Sequence, residues 1–138
     1  MIKETITYVD FDGVERTENF WFNLTETEIV KMQTSVKGGF TEMLKKIIET
    51  EDETKLMPLV SDIILKSYGV KSEDGRRFIK SEQLSTEFEQ TEAYNQLFMK
   101  FLKDAEAFTN FINGLNSKVG KTRTAIQIPK ELVEGEQK

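Results

Sequence analysis

The sequence predicts an α+β protein that is mainly α: an N-terminal β-hairpin, then five or six amphipathic helices, then a flexible C-terminal tail. Three observations carry that expectation. Residues 2–22 hold two runs rich in β-branched and aromatic side chains around the turn-forming Asp10-Phe11-Asp12-Gly13. Residues 26–115 repeat apolar side chains at the three- and four-residue spacing of one helix face. Residues 116–138 lose that pattern, contain Gly and Pro, and finish in mixed charge, as an arm ordered only on a partner would.

In the first run Ile2, Ile6 and Tyr8 share one parity, interrupted by Glu4. Asp and Gly supply the turn, and VERTENFWF follows as a second strand with Val14, Phe20 and Phe22 on a common face. Two strands alone are marginal, so Phe20-Trp21-Phe22 requires cover from helices or another subunit. Thr25 followed by Glu28 has the spacing of a capping box and predicts a helix over 26–34, with Ile29 and Met32 inward. Gly38-Gly39 stops it.

Phe40, Met43, Leu44, Ile47 and Ile48 make the stripe of a helix over 40–50. Leu56, Leu59, Val60, Ile63, Ile64 and Tyr68 make that of a helix over 55–68, with Pro58 in its first turn and Gly69 as its C-terminal cap. Residues 70–80 are polar around Asp74-Gly75 and read as a loop or irregular turn. Leu84 and Phe88 mark a short helix; Tyr94, Leu97, Phe98, Phe101 and Leu102 mark a longer one. Asp104 caps a last helix carrying Ala105, Phe108, Phe111, Ile112 and Leu115. A single domain over residues 1–115, with 116–138 as a tail or docking arm, is the simplest organisation for 138 residues.

Composition removes much of chemistry. With no Cys and no His, the chain offers no thiol nucleophile, no Ser-His-Asp triad and no zinc site of the usual kind. A formal charge of −5 argues against a phosphate backbone, hence against nucleic acid as partner. No apolar run reaches membrane-span length, and MIKETITYVD has no signal-peptide core, so the expected location is the cytoplasm of the producing cell.

Several short motifs tempt a catalytic reading and fail on context. Asp10-Phe11-Asp12-Gly13-Val14 resembles the opening motif of haloacid-dehalogenase-type phosphatases, whose paired carboxylates hold metal and phosphate. That family needs a larger α/β domain and a late acidic pair; here the chain runs straight into a second strand, and a hairpin turn accounts for the residues. Gly120-Lys121-Thr122 ends like a P-loop, but the earlier glycine would have to stand where Leu115 does. Lys118, Lys121 and Arg123 make a small basic cluster, better read as a linker or an arm for an acidic protein. Glu49, Glu51, Asp52 and Glu53 read as a solvated helix junction favouring the start of the next helix. The reading is a non-enzyme, with no catalytic, cofactor-binding or metal residue assigned.

Ten Phe, three Tyr and one Trp press the capacity of one small core. An oligomer or a client groove would use a surplus. The candidate protein-binding residues are therefore Phe98, Phe101, Phe108 and Phe111 on the later helices and Phe20 and Trp21 on the hairpin, each weighed against ordinary core packing.

Two long segments, ITYVDFDGVERTENFWFNLTETEI and SYGVKSEDGRRFIKSEQLSTEFEQTEAYNQLFMKFLKDAEAFTNFINGL, carry a family resemblance over most of residues 1–115. The chain resembles the tail assembly chaperones of long-tailed, siphovirus-type bacteriophages of Gram-positive bacteria. The resemblance implies a self-associating assembly factor that binds the tape measure protein, keeps it soluble and helps recruit tail tube protein. It implies displacement before the virion is finished, no catalytic residues and no cofactor. It also implies a longer, frameshifted form whose extension engages tube subunits. A structural tail component retained in the virion is the alternative reading.

Overall fold

In the computed structural model, which describes residues 1–116, β1 (Ile2–Val9) and β2 (Glu15–Phe22) form the expected antiparallel hairpin. Three helices follow: α1 (Glu26–Thr34), α2 (Phe40–Glu49) and α3 (Glu53–Ser67). A second, smaller hairpin of β3 (Tyr68–Lys71) and β4 (Phe78–Ile79) leads to α4 (Glu82–Glu89), α5 (Glu92–Lys103) and α6 (Ala105–Gly114). The chain is thus α+β and mainly α. The expected tail, Asn116 apart, lies outside the described residues.

Register sets the faces of the first hairpin. Ile2 stands opposite Phe22 and Tyr8 opposite Arg16, so even-numbered residues of both strands share one face. That face buries Ile6, Tyr8 and Phe22, and α5 packs on β1. The odd face is polar, with Thr5 bonded to Asn19 and Thr7 to Thr17 across the strands. Val14 has the right parity for the inner face but lies in the turn before β2 and is exposed, a correction to the expected strand.

Residues 70–80 also correct the expectation of a loop. Tyr68 and Gly69 pair with Phe22 and Trp21, and Val70 and Lys71 with Ile79 and Phe78, giving an antiparallel sheet in the order β1-β2-β3-β4. The turn between them is held by its own polar side chains: Ser72 and the Arg76 amide both donate to Asp74 Oδ1. Tyr68 therefore leaves α3 for a strand, and Gly69 serves close packing rather than helix capping. A Cβ there would lie 2.6 Å from the Phe78 ring and 2.7 Å from the Ile79 carbonyl oxygen.

Helix starts follow local chemistry. Thr25 and Glu28 form the complete capping box, and Ser81, Thr91 and Asp104 each accept from an amide in the first turn that follows. Asp52 does the same for α3, which begins two residues earlier than the stripe implies; Pro58 consequently sits inside the helix rather than in its first turn. At the opposite pole the chain closes on itself. The Leu24 amide donates to the Leu115 carbonyl, the Asn116 side chain donates to the Leu24 carbonyl, and the Asn23 amide donates to the Ser67 carbonyl.

Candidate protein-binding surface

The aromatic candidates divide by burial. Phe101 and Phe108 have no exposed surface and Phe111 almost none. Their rings pack together, with Phe101 4.7 Å from Phe111 and 5.7 Å from Phe108 between centroids. Helices α5 and α6 turn these three toward each other and toward Phe22, 5.2 Å from Phe111, so within the chain they pack inside. Phe98 is half-buried beside Tyr94, and Phe20 half-buried between Tyr8 and Phe88. Trp21 occupies the outer sheet face, where the Lys71 ammonium lies 3.8 Å and that of Lys3 5.9 Å from its ring centre. None of the six forms an open apolar surface by itself.

An open apolar concavity lies elsewhere, between α2 and α3. It encloses about 800 Å³, with Met43, Ile47, Pro58 and Leu59 as its walls and Lys46, Thr54, Lys55 and Asp62 around its rim. Its origin is the width of two helical stripes. Leu44, Ile48, Val60 and Ile63 take the inner positions, leaving Met43 and Leu59 at the margins only half-covered. Pro58 carries no amide hydrogen, so the Thr54 carbonyl lacks its usual helical donor on the groove rim. Asp62 pairs with Lys66 at 3.0 Å and Lys55 lies 3.9 Å from Asp52; Lys46 has no ion pair among the described residues. The sequence puts Met43 and Leu59 on the apolar stripes of these helices, and a stripe alone does not separate a sealed position from an open margin.

A second exposed apolar feature is the tip of the first hairpin. Phe11 is 77% exposed, Val9 54% and Val14 53%. The turn that presents them is firmly clasped. Asp10 Oδ1 accepts from the amides of Asp12 and Val14 at 2.9 Å, its other oxygen meets Arg16 Nε at 2.6 Å, and Gly13 supplies the left-handed residue at φ 81°. The Arg16 hydrogen bond, then the backbone amides, hold the Asp10 carboxyl below the usual carboxylate range. A depressed carboxylate adds stability above its unfolded pKa and loses it as pH falls through the folded one, so the clasp is intact at neutral pH.

Among the described residues no group of three or more acidic side chains is placed to hold a metal ion, and no helix is long and apolar enough to cross a membrane. A family model described as phage tail assembly chaperone matches residues 1–119. The chain belongs to the phage tail assembly chaperone family. No curated protein and no solved structure matches it.

For a tail assembly chaperone this division of aromatics matters. The aromatic-rich helices α5 and α6 contribute rings to the interior, and the groove on α2 and α3 and the hairpin tip each present apolar surface to solvent. The match begins at residue 1 and runs through every described element, so groove and tip both fall inside the family region.

Proposed function

We propose that this chain is a non-enzymatic chaperone of a long-tailed phage of Gram-positive bacteria. It binds the tape measure protein, holds it soluble in the host cytoplasm, and helps recruit tail tube protein. It self-associates, and it leaves before the virion is complete. Membership of the family is the observation that carries this reading. The α2–α3 groove supports it physically, because a client helix with apolar residues at i, i+3, i+4 and i+7 presents the ridge that such a groove accepts. Its lining suits reversible binding. A few apolar walls with a charged rim give moderate affinity per subunit, and several subunits along one client add up while each contact stays exchangeable.

The test is co-expression with the phage's tape measure protein, followed by affinity capture and mass measurement. The expected result is a soluble complex with several copies of this chain per client. A client that aggregates equally with and without this chain overturns the reading. Recovery of the chain in purified virions would make it a structural tail component instead.

A further inference from the structure

We propose that the hairpin tip of one copy seats in the α2–α3 groove of a second copy, so that copies associate head to tail. The two surfaces complement each other. The tip offers Phe11 flanked by Val9 and Val14, an apolar knob on a turn already fixed by Asp10, so little order is lost on docking. The groove offers apolar walls and a volume ample for one aromatic ring.

Charge agrees in sense. Around the knob stand the carboxylates of Asp10, Asp12 and Glu15 against the single guanidinium of Arg16, and Arg16 is engaged by Asp10 at 2.6 Å. Asp12 and Glu15 have no ion pair among the described residues, and both are exposed. Around the groove Lys46 is likewise unpaired and Lys55 only loosely paired. The rim also carries Asp62, which Lys66 engages at 3.0 Å, so the acidic rim of the knob meets a groove rim whose loosely held charges are the two lysines.

Within one copy the tip stands away from the sheet's anchored end. Seven residue steps of paired strand separate Val9 from Ile2, an extended reach of about 23 Å. Knob and groove are different surfaces, so the contact is heterologous, and a linear assembly keeps one free tip at one end and one free groove at the other. One aromatic knob with a charged rim makes a weak contact, with dissociation on the order of 10 µM to 1 mM. The contact uses the groove proposed above for the client, so client binding and self-association compete for it; that competition rests on the client reading, whereas the contact between copies does not.

Sedimentation of the full chain across that concentration range tests the proposal. Wild type should grow in mass with concentration. Phe11→Ser, which breaks the knob, and the double variant Lys46→Glu/Lys55→Glu, which reverses the rim, should each remain monomeric. All three side chains are exposed, so circular dichroism and melting temperature should match wild type. Mixing the two variants should restore one productive contact and give a species of two chains and nothing larger. A wild type that stays monomeric throughout, a Phe11→Ser variant that still associates, or a mixture that stays monomeric would each overturn the proposal. Phe11→Ser keeps its groove, so its capture of tape measure protein reports on the client reading separately.

Discussion

Phe101 is wholly enclosed, and its ring partners Phe108 and Phe111 come from the next helix. A residue so placed contributes through packing, and truncation leaves a cavity that rigid neighbours fill poorly. Phe101→Ala is therefore expected to cost about 3–5 kcal/mol of folding stability, measured by denaturant or thermal unfolding. A client-contact residue would behave differently, losing affinity while leaving the unfolding midpoint in place. Burial separates the two cases here: Phe11, the most exposed large apolar side chain among the described residues, can be replaced without a comparable cavity. Helical spacing groups Phe98 with Phe101 on one stripe, yet Phe98 is only half-buried. A stripe shows which side of a helix faces the protein, and the neighbouring elements decide which of its residues are sealed.

At the scale of elements, local chemistry made most helices legible. The Thr25–Glu28 box and the Asp104 cap are satisfied within a few residues, so sequence and structure agree on where α1 and α6 begin. The β3–β4 hairpin was illegible for the opposite reason. Its strands of four and two residues are too short to show a period of two, and their pairing with Trp21 and Phe22 comes from residues more than forty positions earlier. The groove was hidden similarly, since the same stripe describes a sealed helix and one with an open margin. Gly69 makes the tertiary origin of β3 testable. A Cβ at Gly69 would press on the Ile79 backbone as well as the Phe78 ring, whereas one at Gly114 would meet only the flexible end of Ile2. Gly69→Ala should destabilise by about 1–3 kcal/mol through overpacking, and Gly114→Ala by much less, in paired thermal melts. Equal effects would remove the close approach of β3 and β4 as the reason for glycine at position 69.

The whole molecule is closed by contacts between its beginning and its last described residues. The Leu24 amide reaches the Leu115 carbonyl at 3.2 Å, the Asn116 side chain reaches the Leu24 carbonyl at 2.7 Å, and Leu115 itself is buried. These contacts tie the last described residues to the rest of the fold, and the family match runs to residue 119. A chain stopped after residue 119 keeps all of them and should unfold cooperatively within a few degrees of the full chain. Stopping after Ile112 removes the Leu115 side chain, worth about 2–5 kcal/mol by analogy with buried leucine truncation, and the Asn116 bond, worth about 1 kcal/mol. For a domain of this size that loss corresponds to a fall on the order of 10 °C or more in melting temperature. Differential scanning calorimetry of the full chain and the two truncations measures both shifts. If the longer truncation product also lost its transition, residues 120–138 would belong to the folding unit, and the division between domain and tail would have to move toward the C-terminus.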